Sequence, residues 1–90
     1  MLNFNKMKEV IFKNFNCFKF EKREYKDLSL LLEVLSQLKE DSFLVSLPRE
    51  EVIPFSILQN EIENNFPDFE IRRKLNDDYN NHQEAILTKI

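Results

Sequence analysis

Glycine is absent from all 90 residues. That absence excludes the phosphate-cradling loop, the dinucleotide fingerprint and the strained nucleophile elbow, each of which needs glycine where the backbone turns sharply or approaches a ligand. Turns with positive φ must use another residue type. The ten asparagines are the best substitutes, because Asn tolerates the left-handed region better than other non-glycine residues. Cys17 is the only cysteine, so an intrachain disulfide and a cysteine-based zinc cluster are both impossible. Its place between Asn16 and Phe18 in an apolar segment predicts a buried, inert thiol. His82 is the only histidine, far along the chain, and nothing in the spacing pairs the two for nucleophilic catalysis. Long hydrophobic runs are missing as well. None exceeds the three residues of Leu30–Leu32, against the ~18 that a membrane-spanning helix needs. Met1–Phe20 has Lys or Asn every few positions and no apolar core like that of a secretory leader. These absences predict a single cytoplasmic domain over residues 1–90, with a polar, frayed stretch at 1–6.

What is present is an ordinary globular composition, 42% hydrophobic and 32% charged. Asn, Lys, Ile and Phe have AT-rich codons and are abundant, whereas Gly, Ala, Pro and Arg are scarce, which associates the chain with an AT-rich microbe, phage or mobile element. The net charge of −3 is unevenly spread: residues 1–26 carry seven Lys/Arg and three acids, the remainder six Lys/Arg and thirteen acids. An acidic body disfavours nucleic acid, whose binding depends on neutralising phosphates, and suits a basic partner by electrostatic steering.

Along the chain, Val10–Phe20 reads as one strand with a defect or two short strands. Its period-2 apolar face swaps sides twice and so implies a bulge or turn near Lys13–Asn16. The rival helical reading uses Phe4, Met7, Ile11, Phe15 and Phe18. Tyr25, Leu28, Leu31, Leu32, Leu35 and Leu38 form one helical stripe, predicting a helix over 25–40 with Asp27 near its start. Ser42–Leu47 predicts a central strand covered on both faces. Pro54 suits the first turn of a second helix carrying Phe55, Leu58, Ile62 and Phe66, which Pro67 then stops. Phe69, Ile71 and Leu75 alternate with Glu70, Arg72 and Lys74 as a half-buried strand would. Asn76–His82 reads as a polar turn, and Ala85–Ile90 as a closing strand at a sheet edge. The expected fold is α+β: a small sheet of about four strands with two helices on one face, in the order β-α-β-α-β-β, with room for an extra hairpin at the start.

No catalytic constellation emerges. Asp77–Glu84 resembles a fragment of a calcium loop, but it lacks the glycine and the terminal glutamate at the required distance, so no metal and no cofactor is expected. Glu50 and Glu51 precede the second helix, and Glu61 and Glu63 lie on it, as an acidic ridge for a basic partner or as helix-dipole complements. Arg72, Arg73 and Lys74, with Tyr79 following, are the most concentrated basic and aromatic spot. Arg73 shares its pleat face with Phe69 and Ile71, so the three cations cannot project together. The expectation is a non-catalytic, acidic protein-binding module: an inhibitor, immunity or regulatory protein acting on a larger, basic, nuclease-like partner. Glu50, Glu51, Glu61, Glu63, Arg72, Lys74 and Tyr79 are its candidate contact residues. The alternatives are a structural or homodimerisation subunit pairing through the Ala85–Ile90 edge, and a nucleic-acid-binding domain using Arg72, Arg73, Lys74 and the basic N-terminal segment.

Overall fold

Alternation of buried and exposed residues builds the sheet strand by strand in a computed structural model that describes residues 7–15, 17–74 and 82–90. Strand β1 (Glu9–Asn14) buries Val10 and Phe12, and β2 (Cys17–Phe20) buries Phe18 and Phe20. The two pair antiparallel as a hairpin, and their register shifts between Phe12 and Asn14, where the apolar face changes parity. The reading of two short strands with a defect near Lys13–Asn16 therefore holds. A third strand, β3 (Arg23–Tyr25), pairs antiparallel with β2. Sequence reading had absorbed Tyr25 into the helix that follows, because its three-residue spacing to Leu28 imitates the helical stripe.

That helix, α1 (Leu28–Ser36), begins later than expected because Asp27 caps it, accepting from the Ser29 amide at 2.9 Å. It buries Leu31, Leu32 and Leu35 and ends at Gln37, leaving Leu38 half-buried just beyond. Strand β4 (Ser42–Leu47) is central, as expected. Only one of its faces is covered, however: Phe43, Val45 and Leu47 are buried, while Ser42, Leu44 and Ser46 are half-buried on the other side. Helix α2 (Phe55–Asn65) buries Phe55, Leu58 and Ile62, with Pro54 standing as its N-cap rather than in its first turn. Strand β5 (Phe69–Arg73) and strand β6 (Gln83–Lys89) complete the chain.

The sheet has six strands in the order β3-β2-β1-β4-β6-β5, against the expected four. Only β1 and β4 run parallel; the other neighbours are antiparallel. Both helices contribute to one core cluster with the buried residues of all six strands, so they share one face of the sheet and leave the other open. β6 is not an edge. It pairs with β4 on one side and β5 on the other, which removes Ala85–Ile90 as a site for strand exchange with a second copy.

The true edges are β3 and β5. Ile71 of β5 is fully buried despite its edge position, and the Gln59 amide of α2 donates to its carbonyl at 3.3 Å, so the helix seals that edge. The β3 edge is three residues long and bears exposed Arg23 and Glu24. Among the described residues the left-handed turn positions fall to Glu21 (φ 50°) and Lys22 (φ 67°), not to asparagine. They link β2 to β3 as a two-residue hairpin turn, where Asn-Gly would be the favoured pair.

Two predictions follow from this packing. Lys22→Gly, which removes a Cβ from a left-handed position, should raise stability by about 1 kcal/mol and the melting temperature by ~4–8 °C. Leu35→Ala, at a fully buried position, should cost about 2–5 kcal/mol in denaturant unfolding.

Candidate functional site

Charge separates by layer. The two helices and their flanking connections (27–41 and 48–68) carry nine acids and two cations. The described strand segments (7–15, 17–26, 42–47, 69–74 and 82–90) carry five acids and ten cations. The helices and their connections are thus acidic, Glu33, Glu61 and Glu63 lying on the helices and the other six acids in the connections, and the basic surplus belongs to the sheet. Among the described residues five large apolar side chains are exposed, and three of them, Leu30, Val52 and Ile57, belong to the helices and their connections.

Of the acidic candidates, Glu51 is exposed beside Val52, and Glu61 is exposed one turn along α2 from Ile57, on the same helix face. Val52 is 56% exposed and Ile57 53%. Both are thus large apolar side chains open to solvent, Val52 in the connection before α2 and Ile57 in the first turn of α2, each with an exposed glutamate close by in the chain or on the helix. Neither was singled out from the sequence, although Ile57 falls off the Phe55–Leu58–Ile62 stripe and that offset was legible. Glu50 is engaged differently. Its carboxylate pairs with the Arg73 guanidinium at 2.9 Å, and Arg73 lies over the Phe55 ring. The same guanidinium donates to the side-chain oxygen of Gln83, which is buried. The Gln83 amide nitrogen in turn donates to the carbonyls of Pro48 and Ile53.

Glu63 faces a different way. With Phe55, Gln59, Glu70, Arg72 and Arg73 it lines an open groove of about 350 Å³ between α2 and β5. Arg72 projects on the open side of the sheet and donates to Glu70 at 2.6 Å, which holds its pKa above the ordinary guanidinium value. Lys74 lies 3.6 Å from Glu84. Tyr79, and the Asp77–Asn81 part of the polar turn, lie outside the described residues. The structure therefore splits the basic spot. Arg73 goes to the helix side, as pleat parity predicts, and Arg72 and Lys74 are paired with acids.

Nor does the sheet offer a stacking platform for bases. On the described strands the aromatic rings of Phe12, Phe18, Phe20, Tyr25, Phe43 and Phe69 are all buried in the core. Among the described residues no three His, Cys, Asp or Glu side chains gather as a metal site would require. No helix among them is long and apolar enough to cross a membrane. Comparison with known proteins finds no matching family model, no matching curated protein and no matching solved structure.

Cys17 departs from expectation. It is partly exposed on β2, and its thiol donates to Glu24 on β3 at 2.9 Å. That hydrogen bond, then burial and the negative charge of Glu24, push the thiol pKa up, against the opposing pull of Lys13 and Lys26. The neighbouring carboxylate thus favours the protonated thiol, and the core does not hide the side chain. Glu24→Gln removes the charge and leaves the two lysines dominant, so the thiol pKa should fall. Alkylation by iodoacetamide near pH 8 should then be severalfold faster than in the native chain, read by mass spectrometry over time.

Proposed function

We propose that this chain is a non-catalytic, cytoplasmic protein-binding module, an inhibitor, immunity or regulatory protein whose acidic helix layer docks on a larger basic protein. The observation that carries this reading is the coincidence, on one layer, of nine acids against two cations with Leu30, Val52 and Ile57 exposed. Apolar anchors at the centre of a patch and charges at its rim are the ordinary anatomy of a protein interface. Negative charge of this density favours a positive counterpart and rejects a negative one. A nuclease fits that description, because its substrate site must be basic to hold phosphates. Val52 and Ile57, with Glu51 and Glu61 beside them, are the centre of the docking surface. Nucleic acid is the weaker candidate, since Arg72, Arg73 and Lys74 do not act together and the strand aromatics face the core.

The test is affinity capture from the native source, followed by binding measurements on the purified partner. The expected partner is a basic protein, bound more weakly as salt rises. The combined variant Glu51→Lys, Ile57→Lys, Glu61→Lys changes only exposed positions, so it should keep its melting temperature and lose at least about tenfold in affinity. Capture of nucleic acid, or of a partner whose binding ignores those substitutions, overturns the reading.

A further inference from the structure

The open face of the sheet poses a separate question from the helix layer. Its centre is apolar: Ile11 on β1, Leu44 on β4 and Ile86 on β6 run across three adjacent central strands, and Ile11 is 39% exposed. Its charges nearly cancel, with Glu9, Glu24, Glu70 and Glu84 against Lys13, Lys19, Arg72 and Lys74, and with Lys26 beside Cys17 and Glu24. Three cations already lie against acids of the same face, in the pairs Lys13–Glu24, Arg72–Glu70 and Lys74–Glu84. Such a face selects neither a basic nor an acidic partner. It fits a surface that is itself neutral with an apolar middle.

Register shows that the face meets that description with itself. One row crosses all six strands: Glu24 pairs with Lys19, Lys19 with Ile11, Ile11 with Ser46 and Ser46 with Glu84. Lys74 completes the row through its backbone bond to Glu84. Read from β3 to β5, the order is acid, cation, Ile, Ser, acid, cation. Reversed, every charge meets its opposite.

We propose that the open face is a homodimer interface, two copies packed sheet to sheet about a two-fold axis running along the strands between β1 and β4. Two sheets packed face to face lie about 10 Å apart with interdigitating side chains. In this arrangement Lys19 of each copy lies over Glu84 of the other, and Glu24 over Lys74. Ile11 sits over the small Ser46, whose hydroxyl donates to Glu9 of its own chain, and in the next row Leu44 of each copy sits over Glu9 of the other. The sheet edges do not compete for this role. α2 seals one at Ile71, and the other is three residues long and charged. Because the helix layers face outward in such a dimer, the proposal stands or falls independently of the docking function.

Sedimentation velocity and light scattering of the full chain at micromolar concentration test it. The expected mass is twice the 10.9 kDa of one chain. Ile11→Lys should give the monomer mass with an unchanged circular dichroism spectrum. Lys19→Glu should weaken the dimer by about tenfold or more, by setting like charges opposite each other. Combining it with Glu84→Lys should restore association, because the pair is then reversed and not broken. A native chain that stays monomeric overturns the proposal, as does a dimer that survives Ile11→Lys. So does a folded double variant that associates no better than Lys19→Glu alone. If the double variant loses its fold, the Ile11→Lys comparison still decides. The helix-layer substitutions Glu51→Lys and Glu61→Lys should leave the mass unchanged, which separates this interface from the docking surface.

Discussion

Gln83 is the one polar side chain buried in the described core, and the connection between β4 and α2 depends on it. A buried amide left without partners costs about 1–3 kcal/mol, so the position is tolerable only if each polar atom is satisfied. Here the nitrogen holds the carbonyls of Pro48 and Ile53, and the oxygen accepts from Arg73. Arg73 in turn reaches Glu50. A connection with no regular structure of its own is thereby tied to the first residue of the last strand. The tie places Ile53 in the core, turns Val52 outward and sets where α2 begins.

The two surfaces of the molecule have different electrostatic characters because they are built by different rules. On the sheet, directly opposed residues tend to neutralise one another, so acids and bases appear in cross-strand neighbours such as Lys19 and Glu24. The helices and their connections have no such constraint, and acids outnumber cations there nine to two, Glu33, Glu61 and Glu63 lying on the helices themselves and the other six in the connections. Nearly balanced charge on one side and excess on the other allow the two sides to meet different partners without competing.

Much of this was legible in the sequence where the signal is local. The leucine stripe of α1, the Phe55–Ile62 stripe of α2 and the Phe69–Ile71 alternation all declare the buried side directly. Parity alone placed Arg73 on the helix side of the sheet. The failures share a cause. Strand β3 is short, and Tyr25 also satisfies a helical spacing, so local pattern could not separate it from α1. Ala85–Ile90 has the composition of an edge, but its neighbours on both sides come from distant parts of the chain, and no local feature reports them. The asparagine excess suggested where left-handed turns would fall, yet at the β2–β3 turn the strand register imposed that geometry on Glu21 and Lys22. The four glutamates expected as one acidic ridge are exposed but divided between two places. Glu50 and Glu63 turn toward β5, leaving Glu51 and Glu61 with the exposed apolar pair.

The position of β6 has a bearing on how the molecule forms. The last strand in the chain lies between β4 and β5, and its residues pair with β4 positions about forty residues earlier, such as Leu87 with Phe43. The β1–β2–β3 meander closes over short loops and can form early, but β4 and β5 are not neighbours until β6 enters between them. Topologies dominated by such distant pairings fold slowly, since loop closure must precede the contacts that reward it. For this chain, the β4–β5 side of the sheet closes only once β6 is in place between them.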